Sequence, residues 1–342
     1  MDSGDWLPTV PVPFFIAGQG LPVEKVTTPP STACDAFLLL SFGAPEGPGE
    51  VMPFLENVTR GKNVPRQQIL QVARRYERFD GISPANAQLR ALITAVLGQF
   101  NARGLQVSVY WGNRNWHPML QDTLRQMADD GIRHALALVT SPFESAASYG
   151  QYLEEIQLAT KTAGSNPPEI DVLPVFFDQP GFVEATADRV TSALEKITAE
   201  NRQAARVVYC AHSLPTAMAD ESPYRQQFEQ SCRLVSQRVG LGQWDMAYQS
   251  RSGPASQPWL EPDICRHIEQ LAESGKLADL VIVPIGFVYE HLETVFDLDE
   301  EAGELCRQSG INMVRAATVG CHPRFVEMIA QLVSQYTPAK DP

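Results

Sequence analysis

Residues 280–301 read LVIVPIGFVYEHLETVFDLDEE. The opening LVIVPIGF is an apolar run of strand length without alternation, which marks a strand buried on both faces, as in a parallel sheet. From Tyr289 the spacing turns helical, with Leu292, Val295, Phe296 and Ala302 on one stripe. A buried strand passing into a helix is the repeating unit of an α/β fold. Outward from this stretch, comparable runs recur at AFLLLSF (36–42), LQVSVYW (105–111), ALALVT (135–140), IDVLPVFF (170–177), RVVYCA (206–211), WDMAYQ (244–249) and NMVRAAT (312–318), with amphipathic sequence between them. Four runs precede residue 180 and four follow it. The rhythm predicts an α/β fold of two Rossmann-like lobes, each a parallel sheet covered by helices, with a cleft between them. The linker AGSNPPE (163–169) sets the expected boundary: a first lobe over 34–165, a second over 166–318, and a C-terminal helix over about 319–342 packing back on the first. Residues 1–33 carry Pro8, Pro11, Pro13, Pro22, Pro29 and Pro30 without periodicity and read as an N-terminal arm.

Net charge is −13 at pH 7, the wrong sign for a general binder of phosphate backbones, so nucleic acid is not expected as a partner. No apolar run approaches the roughly 20 residues of a membrane helix. The start of the chain has no basic n-region, and Phe14-Phe15-Ile16 is too short for a signal-peptide core. Six cysteines (Cys34, Cys210, Cys232, Cys265, Cys306, Cys321) form no C-x-x-C pair and read as reduced thiols. These features together imply a cytoplasmic protein. There is no G-x-G-x-x-G after the first strand, no G-x-x-x-x-G-K-[ST] and no G-x-S-x-G, so nucleotide and acyl chemistry lose support.

In open α/β sheets ligands bind beyond the carboxyl ends of the strands. His212 follows RVVYCA at such an end, where an imidazole can take a proton near neutral pH or ligate a metal. A histidine there also commonly serves as a structural hydrogen-bonder. Glu293, Asp297 and Glu301 are spaced i, i+4, i+8, with Glu290 and Glu304 extending the same side. Like charges so spaced cost about 0.2–0.5 kcal/mol per pair on an exposed helix unless protons or a cation neutralise them. A solvated acidic face in an acidic protein has the same spacing. The segment YWGNRNWHP (110–118) mixes aromatic rings, amides and Arg114, a set suited to a large planar acid, although its Trp residues also read as core anchors. Arg60-Gly61-Lys62-Asn63 and Arg74-Arg75-Tyr76 add basic groups, and FDGISPAN (79–86) sets Ser83 in a turn before a helix.

In order along about residues 35–335, SFGAPEGP, FLENVTRGKNVP, FDGISPANAQ, YWGNRNWHP, FFDQPGF, AHSLP, YQSRSGPASQPWLEPD and VPIGFVYEHLETVFDLD resemble the ferrochelatase family. The resemblance implies two lobes around a porphyrin cleft, with the histidine of AHSLP and the glutamate of HLET facing each other across the macrocycle as the catalytic, metal-handling pair. Here these are His212 and Glu293, with Asp297 and Glu301 as a relay for protons or metal. Porphyrin contacts carried over by motif fall on Phe42, Arg60, Arg75, Tyr76, Ser83 and Phe143, and Arg60 and Arg114 are the candidates to hold carboxylates. Phe42 stands where some relatives have an iron-ligating tyrosine, and a phenyl ring cannot ligate. The motifs look most like the actinobacterial type, which is similar to the branch using coproporphyrin III. The alternatives are insertion into protoporphyrin IX, a chelatase for another tetrapyrrole, and a non-catalytic carrier. Ferrous iron is a substrate in this reading and no prosthetic group is implied. Some relatives hold an iron-sulfur cluster, but Tyr149 and Gly150 occupy the mid-chain position and only Cys321 lies late, so no cluster is expected. Tyr289-Glu290 replaces a usual Ser-Asp and crowds Glu293. A place in heme biosynthesis also implies a transient contact with the next enzyme of that sequence.

Overall fold

The computed structural model describes residues 33–337 except 253–255, 274 and 276, so the Pro-rich arm and the last residues of the C-terminal segment lie outside the described residues. All eight apolar runs contain strands: β1 (Ala36–Ser41), β2 (Ser108–Asn113), β3 (His134–Val139), β4 (Glu169–Val172), β5 (Arg206–His212), β6 (Trp244–Gln249), β7 (Asp279–Val283) and β8 (Asn312–Arg315). Between them run α1 (Pro48–Val58), α2 (Arg66–Glu77), α3 (Ala85–Ala102), α4 (Leu120–Asp129), α5 (Gln151–Thr162), α6 (Pro180–Leu194), α7 (Thr216–Asp220), α8 (Tyr224–Val239), α9 (Ile264–Glu273), α10 (Gly303–Gln308) and α11 (Pro323–Ser334). The strands form two four-stranded sheets, β2-β1-β3-β4 and β6-β5-β7-β8, with every neighbouring pair parallel.

The side-chain period of two divides each central strand between two cores. Phe37 and Leu39 of β1, and Val207, Tyr209 and Ala211 of β5, face one shared central core with α3, α6, α8 and α11. Leu38 and Leu40 face an outer layer of α4 and α5, while Val208 and Cys210 face α9 and α10. The largest core therefore lies between the sheets and joins the lobes. A separate cluster packs Val51, Phe54 and Tyr76 of α1 and α2 against Leu292 and Phe296, roofing the cleft from the first lobe to the second.

Two expectations need correction. β4 pairs with β3, Ala135 opposite Ile170, so the AGSNPPE linker is the turn from α5 into an edge strand of the first sheet. The lobes part after Val172, not at residue 165. The helix read from Tyr289 onward is a π-helix, Thr294–Ala302, continuing into α10. Its backbone hydrogen bonds run i to i+5, a form found mostly as short bulges and frequently at functional sites. At the end of the described chain, α11 packs against α3 of the first lobe and α6 of the second alike, and Cys34 N donates to Tyr336 O at 2.9 Å.

Candidate active site

His212 ends β5 and is 5% exposed. Its Nδ1 lies 2.5 Å from Ser213 O; a carbonyl only accepts, so the ring proton sits on Nδ1. The other nitrogen, Nε2, faces Glu293 Oε1 at 3.8 Å, too far for a hydrogen bond. Tyr224 Oη donates to His212 O at 2.8 Å, and Ser213 N donates to Gln249 O at 2.8 Å. Gly286, after β7, lies against β5 so closely that a Cβ there would meet Ala211 Cα at 2.8 Å. Only glycine lets this loop lie beside the histidine.

Glu293 is 7% exposed and immediately precedes the π-helix. Burial pushes its carboxyl up, but His212, His291 and Arg75 outweigh burial and hold it below the ordinary value. His291 Nδ1 accepts from Glu293 N at 3.2 Å and lies 3.9 Å from Glu293 Oε2. Burial pulls the His291 imidazole below its usual range despite the neighbouring acids, favouring its neutral form.

One helical step further, Asp297 is buried with Arg75 Nη1 at 3.7 Å on one oxygen and the Ser250 hydroxyl donating to the other. Burial dominates and pushes Asp297 up to about 7. Glu301 follows and is raised by burial too, against the pull of Arg75. Glu290 and Glu304 leave this line. Arg315 Nη1 donates to Glu290 at 2.8 Å and Thr318 N does so at 2.9 Å, while Glu304 pairs with Arg307 on the surface.

These groups stand at the end of a cleft between the lobes. It brings together seven expected residues: Phe42, Tyr76, Ser83, Arg114, Phe143, His212 and Glu293. Phe143 forms its floor, edge-on to Tyr224 with ring centroids 5.7 Å apart. Arg75, Arg60, Asp297 and Glu301 do not line it. Arg75 turns instead to the π-helix, its guanidinium 4.5 Å from the Phe296 ring centroid, and serves Asp297. Arg60 is exposed. Its near neighbour Lys62 lies within the field of Arg114, and burial together with that guanidinium pushes its ammonium down to about 8. Arg114 stands in the cleft wall with Lys62 near enough to feel its charge, and an anion there would relieve both.

Sequence reasoning passed over His291 and Tyr152 and took Tyr289 only as crowding Glu293; all three are in the cleft wall. His291 and Tyr289 lie in the strand-to-helix stretch already singled out, and position after a strand end was a usable signal. Tyr152 had none, because a buried tyrosine on a helix ordinarily reads as core. The Tyr289 phenol receives Phe42 N at 3.4 Å and fills the space beside Glu293.

Two parallel sheets of equivalent strand order around a cleft with a buried imidazole and carboxylate define a two-lobed chelatase fold. The sirohydrochlorin chelatase SirB from Bacillus subtilis subspecies spizizenii, solved in complex with cobalt, aligns with TM-score 0.54 and 12% identity over 88% of this chain and 94% of that one. CbiX, the terminal enzyme of siroheme biosynthesis in denitrifying bacteria, aligns with TM-score 0.52 and 15% identity over 88% and 98%. At such identities the likeness is one of fold alone. The ferrochelatase family model matches residues 34–337. The ferrochelatase of Rhodopirellula baltica is 50% identical over 301 residues, 88% of this chain and 86% of that protein. The coproporphyrin III ferrochelatase of Streptomyces coelicolor is 44% identical over 317 residues, 87% and 84%. The chain belongs to the ferrochelatase family, enzymes whose substrates are a porphyrin and iron. No described helix is long and apolar enough to cross a membrane.

Proposed function

We propose that this enzyme inserts ferrous iron into coproporphyrin III, forming Fe-coproporphyrin III with release of two protons. The observation that carries the site assignment is the buried His212–Glu293 pair, 3.8 Å apart in the wall of an aromatic-lined cleft. The porphyrin choice draws support from relatives at 44% and 43% identity that bear the name coproporphyrin III ferrochelatase. It also draws on the crowded cations Arg114 and Lys62, which suit a ring carrying four carboxylates. The 50% identical relative bears the broader name ferrochelatase, and protoporphyrin IX is accordingly the second substrate to try.

Metallation must remove two pyrrole protons and strip water from the metal. With its proton fixed on Nδ1 by Ser213 O, His212 offers the Nε2 lone pair to a pyrrole N–H or to iron. Glu293, whose carboxyl is held below its ordinary value, is anionic and attracts the metal or takes the second proton. Asp297, pushed up to about 7, can both gain and lose a proton near neutrality, and with Glu301 it forms the way out for protons or the way in for metal. Phe42, Tyr76, Ser83 and Phe143 hold the ring, and Arg114 holds a propionate. Iron enters as substrate and no prosthetic group takes part. Imidazole and carboxylate donors do not discriminate by affinity alone, so zinc and copper compete with iron. The six free cysteines suit a reducing cytoplasm.

The test is anaerobic turnover with ferrous iron and either coproporphyrin III or protoporphyrin IX, followed by visible absorption. Many turnovers per enzyme with a higher kcat/KM for coproporphyrin III are expected. A preference for protoporphyrin IX overturns the substrate, and single-turnover stoichiometry overturns catalysis.

A further inference from the structure

The Gln249-Ser250 pair at the end of β6 lies outside the cleft wall and has no part in the mechanism above. Gln249 is opposite His212 in the β5–β6 register and only 1% exposed. Its Nε2 donates to Glu293 O at 3.2 Å and to Ser250 Oγ at 3.3 Å, and Ser250 Oγ donates in turn to Asp297. The amide therefore sits between the two acids of the line. Because Glu293 O is a carbonyl, the amide nitrogen must face it, and the remaining atom is the oxygen. That oxygen is buried and accepts no hydrogen bond. A buried acceptor without a donor is unfavourable and is uncommon in folded proteins. Ser250 holds φ +60°, a conformation unusual for serine, which keeps this turn against the π-helix.

Among the described residues, no three His, Cys, Asp or Glu side chains are close enough to hold an ion by themselves. A metal passing between Asp297 and the His212–Glu293 pair therefore needs a donor of another type. Neutral amide oxygens ligate hard and borderline divalent metals, and they add no charge that would slow release to the ring.

We propose that Gln249 Oε1 is a transient ligand for the divalent metal as it moves from Asp297 to Glu293 and His212. The proposal rests on the metal route given above. It is tested with cobalt(II) alone, without porphyrin, by calorimetry and visible absorption on the full chain. Gln249→Met and Gln249→Glu both remove the amide N–H from Glu293 O, but only the second keeps an oxygen donor. The ligand role predicts about tenfold weaker cobalt binding for Gln249→Met, and a matching rise in KM for iron with KM for porphyrin unchanged. Gln249→Glu then binds cobalt at least as tightly as the wild type. Equal weakening in both variants makes Gln249 a strut and overturns the proposal, as does wild-type cobalt binding by Gln249→Met. Glu293→Gln separates the two levels. Undiminished cobalt binding in that variant overturns the route itself, whereas loss there with wild-type binding by Gln249→Met overturns only the role of Gln249.

Discussion

The two lobes share one backbone plan and divide the chemistry between them. Each sheet places its earliest strand second in order, and each delivers side chains from strand ends to the same cleft. From the first lobe come Phe42, Tyr76, Ser83, Arg114, Phe143 and Tyr152: rings, a hydroxyl and a cation, with no carboxylate in the cleft wall among the described residues. From the second come His212, His291 and Glu293, with Asp297 behind them. The sheet thus dictates where a ligand sits, and the residues just past each strand decide what happens to it. In the proposed mechanism the first lobe grips the ring and its acids, and the second exchanges protons for metal. Two cations cross over, since Arg75 of the first lobe reaches Asp297 and Arg78 pairs with Glu300 beside the acid line of the second.

The sharpest way to break this division is to remove one group from each side. His212→Ala is expected to lower iron insertion more than about a hundredfold, the range for losing a general base, while porphyrin fluorescence titration gives an unchanged Kd. Near-normal turnover would remove His212 from the chemistry. Arg114→Ala is expected to do the reverse, raising KM for coproporphyrin about tenfold with kcat within about twofold, because a charged hydrogen bond contributes about 1.5–3 kcal/mol to binding. Arg60→Ala, at an exposed position, should change neither parameter by more than about twofold. A larger effect on KM from Arg60 than from Arg114 would reverse their assignment.

Each lobe was legible to a different degree. The eight strands could be read because parallel strands buried on both faces need uninterrupted apolar runs, and nothing else in the chain looks alike. His212 and Glu293 follow such runs directly. β4 was misassigned because a polar linker looks the same between domains as between a helix and an edge strand. Arg75 and Tyr76 were read together as porphyrin contacts, but neighbours on a helix point in different directions, so Tyr76 enters the cleft while Arg75 meets Asp297. Between Arg60 and Lys62 the turn passes through Gly61 at φ 75° and on to Asn63 at φ 51°, a local reversal that residue types alone do not orient. The π-helix was invisible for a related reason. Its apolar stripe satisfies α spacing, and the wider winding follows from tertiary partners, Arg75 over Phe296 and Ser250 on Asp297.

The acid line offers a smaller test, read in stability. Asp297 has its ordinary value near 3.8 when unfolded and about 7 in the fold, so between these pH values the folded state keeps a proton that the unfolded chain has released. Stability from this group is full below about pH 4 and is lost as pH rises through about 7. Asp297→Asn has no such loss. The variant should therefore gain Tm relative to the wild type between about pH 5 and pH 8, by at least about 2 °C in metal-free protein. A pH-independent difference would mean that Arg75 and Ser250 compensate the buried charge fully.

The smallest effect expected is at the contact between lobes. Tyr289 comes from the second lobe, yet its phenol receives the backbone N–H of Phe42 in the first, at 3.4 Å. At that length the bond is near the limit of useful strength and contributes less than the roughly 1 kcal/mol of a well-formed one. Burial raises the phenol above its ordinary pKa, so it stays protonated and neutral. Tyr289→Phe keeps the ring that fills the wall and loses only this hydroxyl. It should lower Tm by less than about 2 °C and leave kcat and both KM values within about twofold. If turnover instead falls tenfold with porphyrin binding intact, the phenol takes part in the chemistry. The division between a gripping lobe and a reacting lobe would still hold, because the added group belongs to the second.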